Sequence, residues 1–350
     1  MNQDRQRTAA RSPDLNLAWS AALAMCGINY APATDDDLAI LDELSRHADR
    51  HVRETMVRAL SGLGKEDPSR QNDAIDRILS LSLGEDKKLA DAICDAFLYN
   101  RIPLDTLSEV QLDRLLDNLV GVPELDEYGI NMVLNWAVKE RPSAIIRFIK
   151  KRIARFLERR AARDWSYRIV PHQQNEIDLH GLQNSGELPE LRATVLGQIE
   201  ADKSARDEFN DLFWKITVFE EESFELLRPW FHSGDQSKFD LALSVLRHAP
   251  RRLAFSNPNL VLEVLEAAEK HGTKSLEGAI GLFVSGIDPY LFAGWAPEQP
   301  SATVDLRTSA ETALANPQLH PLMRRLYEAI KAFASIDIRP FADGEDEEEF

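Results

Sequence analysis

The chain has 350 residues, a formal charge of −17 at pH 7 and 44% hydrophobic side chains. That content suits a folded protein, and the length exceeds what one compact core usually holds, so two subdomains or one elongated stack are expected. The acidic balance argues against general nucleic-acid binding, which needs Lys and Arg to replace the counterions around phosphate. Cys26 and Cys94 are too few for a disulfide framework and lack metal-ligand spacing, which fits a reduced, cytoplasmic setting.

At the N-terminus, Arg5, Arg7 and Arg11 precede the stretch Leu15 to Cys26, and Leu23-Ala24-Met25-Cys26 is near a lipoprotein cleavage pattern. Asp14, Asn16 and Ser20 interrupt that stretch, whereas Leu15, Ala18, Trp19, Ala22, Leu23 and Cys26 share one helical face. This pattern predicts a first core helix of a soluble protein, opened by Ser12-Pro13 and closed by Gly27. No apolar run approaches the ~20 residues that span a membrane.

A 37-residue period follows. Leu38, Ile75 and Leu112 keep that step, as do Leu41, Ile78 and Leu115, then Met56, Ile93 and Ile130, then Leu60, Phe97 and Leu134. Such a period predicts stacked helix pairs, because one pair cannot bury its own apolar face without neighbours. Helix punctuation agrees. Thr34 with Asp37 forms a capping box before Leu38, and a second helix from about His51 carries Val52, Met56, Ala59, Leu60 and Leu63 up to Gly64. In the second unit, Ile75, Ile78, Leu79 and Leu81 end at Gly84, followed by Leu89, Ile93, Ala96 and Phe97. Thr106 with Glu109 reads as the capping box of the third, which carries Leu112, Leu115, Leu116 and Leu119, stops at Gly121 and resumes through Ile130, Val133, Leu134 and Ala137.

A longer helix is expected from Pro142 to about Arg163, where the period breaks. Trp165 to Pro189 lacks helical periodicity, contains Pro171, Gly181, Gly186 and Pro189, and reads as an irregular linker or insertion. Apolar stripes return near 190–202, 204–219, 221–231, 236–248, 258–271 and 274–286, with Ser256-Asn257-Pro258 starting one helix and Gly272 stopping it. After a looser loop with Pro289, Pro297 and Pro300, helices are expected from near Val304 and from His320 to about Ile338. The acidic end Glu345 to Glu349 reads as solvated. Strand alternation is absent, so the expected class is all-α: a repeat array over 1–164, the irregular segment 165–189, a second array over 190–338 and an acidic tail over 339–350.

These residues resemble HEAT and armadillo proteins, whose units are helix pairs of about this length. His51-Val52-Arg53 through Ala59 to Leu63 is similar to the second helix of a HEAT unit, and the likeness covers residues 35 to 138 best. It implies an α-solenoid that binds proteins through a curved face. Asp305-Leu306-Arg307, Ala310-Glu311, Leu326-Tyr327, Ile330 and Ala334, followed by the acidic stretch, resemble the end of helical-repeat regions in large bacterial multidomain proteins. There such regions sit behind nucleoside-triphosphatase or other effector modules, in some cases in defence systems.

The sharpest charge feature is Arg147, Lys150, Lys151, Arg152, Arg155, Arg159, Arg160 and Arg163, opposed only by Glu158. With Ile145, Ile149, Ile153 and Phe156 along one side, this is a basic amphipathic helix with its charges expected outward. It reads as a dock for phosphate or an acidic protein segment, the acidic tail included, or as a face that pairs with acidic neighbours in the same stack.

His47 and His51 have a spacing that can bring two imidazoles to one metal, but Ala48-Asp49-Arg50 between them lacks the metalloprotease glutamate, so no metal is expected. Asp178-Leu179-His180-Gly181 resembles the opening signature of Smr-type nuclease domains; the second His-Gly element that such domains need is present only at His271-Gly272. Gly62-Leu63-Gly64-Lys65 is not a phosphate loop, and no cofactor fingerprint occurs. Trp136, Trp165, Trp214, Trp230 and Trp295 invite comparison with helical-repeat DNA glycosylases, yet Trp136 and Trp214 lie on apolar stripes and read as core. The expected function is a non-catalytic scaffold or sensor-like module with a protein partner. The alternative is an enzyme acting on nucleic acid, a cryptic nuclease or a glycosylase-like repeat protein.

Overall fold

The computed structural model describes residues 19, 20, 22, 25, 34–98, 101–171, 177–217, 224–247, 253–285 and 300–334. Among them every regular element is helical, and no helix is long and apolar enough to cross a membrane. Of the expected first helix, Trp19, Ser20, Ala22 and Met25 are helical, with Ala22 and Met25 buried. Its remaining residues, Trp295 and the acidic tail lie outside the described residues. Two compact units divide between Arg192 and Ala193.

The first unit holds α1 (Asp35–Ser45), α2 (Arg50–Glu66), α3 (Gln71–Leu79), α4 (Lys87–Asp95), α5 (Glu109–Val120), α6 (Tyr128–Glu140) and α7 (Pro142–Ala161). Helix α2 packs on α1 and on α3, and α6 on α7, while contacts between helices two places apart run through the unit: α2 meets α4, α3 meets α5, α4 meets α6, and α5 meets α7. All twelve side chains of the four apolar columns are buried, each contributing about 1.5–3 kcal/mol of transfer free energy. The period thus marks the side chains that join one helix pair to the next. It also runs one helix further than the sequence pattern suggested. Ile149, 37 residues after Leu112, is buried in α7, while the column Leu41, Ile78, Leu115 continues into Arg152.

Polar rungs keep a similar step. Carboxylates of one helix meet cations of the next helix in its layer: Asp35 with Arg70 at 3.1 Å, Asp42 with Arg77 at 2.9 Å, Asp76 with Arg114 at 3.0 Å and Asp113 with Arg147 at 2.9 Å. In the α4–α6 layer Lys87 meets Glu124 at 3.0 Å and Lys88 meets Glu127 at 2.8 Å. Exposed pairs of this kind are worth about 0.2–1 kcal/mol, so they tune register more than stability.

The helix signals divide into those the structure keeps and those it moves. The Thr34–Asp37 capping box is present. The third unit's box is Ser108 with Gln111, while the Thr106 hydroxyl donates to Pro103 O in a 3-10 turn, Leu104–Thr106. Gly64 does not end α2, which runs to Glu66. It is buried where a Cβ would stand 2.7 Å from Ile102 Cδ1, so its small size serves packing. Gly84 (φ 54°) and Gly121 lie 37 residues apart, and a Cβ on Gly121 would stand 2.9 Å from Gly84 O. The turns of neighbouring repeats touch there.

The described residues after α7 are packed. Tyr167, Ile169 and Val170 are buried, and the 3-10 turn Leu179–Asn184 rests on α6 and α7. A Cβ on Gly181 would meet Val138 Cγ1 at 2.7 Å, and Asp178 N donates to Asn135 Oδ1 at 2.9 Å. Helix α8 (Leu188–Ala201) then crosses the division between units.

The second unit continues with α9 (Arg206–Lys215), α10 (Arg228–Phe231), α11 (Gln236–Leu246), α12 (Leu253–Ser256), α13 (Pro258–Lys270), α14 (Thr273–Ser285), α15 (Pro300–Leu314) and α16 (Pro321–Ala334). Helix α15 starts earlier than expected because Pro300 opens it rather than belonging to the loop. Asn257 caps α13 ahead of Pro258, and Gly272 (φ 103°) follows its C-cap His271. Phe224, Phe231 and Phe239 form an aromatic cluster, Trp214 Nε1 donates to Val245 O, and Tyr327 Oη donates to Ala254 O at 2.8 Å.

Candidate interaction surface

Helix α7 has the apolar side the sequence implied, with Ile145, Ile149, Ile153 and Phe156 buried. Its charges are engaged inside the unit. Arg147 pairs with Asp113 at 2.9 Å and Glu109 at 3.4 Å, Lys150 with Glu190 at 2.9 Å, and Lys151 with Asp117 at 2.5 Å. Arg155 pairs with Glu158 at 2.9 Å, and Arg159 joins Glu85 and Asp164. The Arg160 guanidinium lies over the rings of Phe156 and Trp165, 5.0 and 4.4 Å from their centroids. Arg163 follows the helix in a left-handed conformation, φ 62°.

Arg152 corrects the expectation of an outward charge, because it is fully buried. It falls three residues after Ile149 and four before Phe156, on the apolar side. Nε donates to Ile169 O at 2.7 Å; Nη1 donates to Leu119 O at 2.9 Å and Val122 O at 2.8 Å; Nη2 donates to Pro123 O at 3.3 Å and to Arg168 O. Tyr167 stacks on it, 4.4 Å from ring centroid to guanidinium carbon, and gives its own hydroxyl to Val120 O at 2.5 Å. A permanently charged planar donor set suits the carbonyl-rich C-terminal end of α5, where the helix dipole favours a cation. Arg152 therefore fastens α5, α7 and the 167–169 strap together.

The motif-like residues have structural settings. Asp178 accepts from His180 N at 3.2 Å and caps the 3-10 turn, while Gly181 is required by Val138; the later His271-Gly272 is the end of α13, with the His271 ring 4.7 Å from that of Phe239. His47 Nδ1 accepts from Asp49 N at 3.0 Å, and His51 Nδ1 lies 3.3 Å from Glu54 Oε2. Among the described residues no group of three or more His, Cys, Asp and Glu side chains is placed to hold a metal ion. Trp214 is buried, whereas Trp136 is only half-buried.

The seam between α4 and α6 is different. Asp91 Oδ1 accepts from Gly129 N at 2.7 Å and Ile130 N at 3.3 Å, capping α6, whose N-cap Glu127 makes no side-chain cap bond. Among the described residues, Asp95, one turn on, makes no side-chain hydrogen bond or ion pair. Burial, and next the charge of Asp95, hold the Asp91 carboxyl above its ordinary pKa despite those two bonds. Beside them on α6, Tyr128 is 54% and Met132 40% exposed. Sequence reading passed over these four residues because they form no catalytic or metal motif. Their signal was the period itself: Tyr128 and Met132 stand 37 residues after Asp91 and Asp95, where the neighbouring rungs carry opposite charges.

No family model and no curated protein matches the chain. Among solved structures, it is similar to an engineered protein from the Northeast Structural Genomics Consortium at 15% identity, over 95% of this chain and 99% of that one, with a TM-score of 0.25. A likeness that low carries no argument about fold or function.

Proposed function

We propose that this chain is a non-catalytic interaction module, a HEAT-like α-solenoid that binds a protein partner through side chains displayed on stacked helix pairs. The observation that carries this reading is the display of large apolar side chains on or beside well-packed helices: Tyr128 and Met132, and Trp165 at 58% exposure. Aromatic residues and Met are the types enriched at protein interfaces. The alternating contacts of α2 to α7 and the repeat-step columns support the solenoid part. Helix α7 is a weaker place for the partner, since its cations already have carboxylates, carbonyls or rings within the unit.

The test is capture of partners from the native host with the full chain as bait, comparing wild type with a Tyr128→Ser, Met132→Ser, Trp165→Ser triple variant of unchanged melting temperature. A partner retained by wild type and lost by the variant is expected. A chain that stays alone at every concentration, captures nothing and cleaves DNA with an added divalent metal ends this reading in favour of the nuclease.

A further inference from the structure

The α4–α6 seam departs from a rule that the rest of the first unit follows. Where a carboxylate faces the next helix of its layer, that helix ordinarily supplies a cation: Arg70, Arg77, Arg114, Arg147 and Lys151 all do so. Lys87 and Lys88 do the same in reverse, toward Glu124 and Glu127. At Asp91 and Asp95 the step lands on Tyr128 and Met132 instead, so two carboxylates one helical turn apart face an α6 surface with no cation of its own. Gly129 lets this surface approach closely, since a Cβ there would stand 2.7 Å from Asp95 Oδ1 and 2.9 Å from Asp91 Oδ1. The two α6 amides and the charge of Lys88 offset the Asp91 carboxylate only in part, because Asp95 still pushes its pKa up, and Tyr128 and Met132 are 54% and 40% exposed.

We propose that this seam is the docking face for a partner segment that brings a lysine or arginine to Asp91 and Asp95 and lays its apolar side chains on Tyr128 and Met132. The inference rests on the interaction-module reading and names the partner's chemistry. Charge complementarity selects the occupant: a cation supplies the missing rung, and an acidic segment would add a third negative charge to an already repelling pair. The exposed Tyr and Met rule against a purely electrostatic contact, because burying them accounts for affinity that salt does not screen.

The probe is a fluorescein-labelled twelve-residue peptide alternating Lys-Lys and Leu-Leu, titrated against the full chain by fluorescence anisotropy at 0.15 M salt, with a peptide carrying Glu in place of Lys as control. Binding of the basic peptide is expected to fall at least tenfold in Asp91→Asn/Asp95→Asn and, separately, in Tyr128→Ser/Met132→Ser. Asn keeps an acceptor for Gly129 N, so the first variant stays folded, and the second changes only exposed side chains. Asp105→Asn/Glu66→Gln makes the same change of net charge at exposed positions elsewhere and is expected to leave binding within twofold.

Equal losses in this control and in the seam variant would mean generic attraction to an acidic protein and would overturn the proposal. Equal binding of the glutamate peptide, or binding indifferent to both seam variants, overturns it too. If a host partner is captured but is insensitive to all four seam residues, the interaction-module reading stands and this inference alone fails.

Discussion

Replacing Arg152 by Met, a side chain of similar length without donors, removes the guanidinium and keeps much of the packing. Of the carbonyls it serves, Leu119 O also accepts from Val122 N, and Pro123 O from Arg168 N. Val122 O accepts from Arg152 at 2.8 Å, and Ile169 O and Arg168 O take guanidinium donors as well. A buried acceptor that loses its donor costs up to about 1–3 kcal/mol, so the three together set an upper range of roughly 3–9 kcal/mol. The substitution also relieves the several kcal/mol needed to desolvate the cation in the native state. A net loss of about 3–5 kcal/mol is therefore expected. Arg152→Lys, a point charge that cannot span the same carbonyls, should lose roughly half as much. Because the chain has two compact units, a single unfolding free energy is poorly defined. The suitable assay is hydrogen exchange resolved by peptide, where 119–123 and 165–171 should lose protection together while the second unit keeps its own. Unchanged exchange in both segments for Arg152→Met would refute the assignment of Arg152 as the fastener.

Two further outcomes can be checked. Gly129→Ala gains about 1 kcal/mol of helix propensity, but the new Cβ meets Asp91 O at 3.0 Å as well as both carboxylates; a net loss of about 1 kcal/mol of hydrogen-exchange protection in α4 and α6 is expected, and a gain would show that α4 and α6 separate freely. Asp164, held by the Ser166 hydroxyl and amide and by Arg159, has its pKa lowered to about 2. A lowered carboxylate pKa contributes stability above the ordinary value near ~3.9 and loses it as pH falls toward 2, so Asp164→Asn should flatten the melting temperature between pH 4 and 2, and an unchanged acid slope would count against the cause given.

The apolar columns, the Thr34–Asp37 capping box and the run of helices were legible in the sequence because local spacing and end chemistry encode them. Legibility failed where the deciding contact was remote. Thr106 and Ser108 both offered a hydroxyl near the start of α5, and the 3-10 turn at Leu104–Thr106 left Ser108 as the cap. Gly64 looked like a stop signal until Ile102, 38 residues on, was found against it. Trp165 to Pro189 read as an irregular linker or insertion, and nothing local shows that Tyr167 and Ile169 meet Arg152 or that Gly181 meets Val138.

By itself the sequence determined the class, the repeat length and the buried columns, all properties of residues within one helix or one period. Only the tertiary structure decided the fate of the charges. Ion pairing depends on what stands opposite a side chain, and facing helices lie some 35 residues apart. That is why the basic helix proved to be joined to its neighbours while the carboxylates that meet no side-chain cation on the facing helix lay at Asp91 and Asp95, in a stretch whose composition drew no notice.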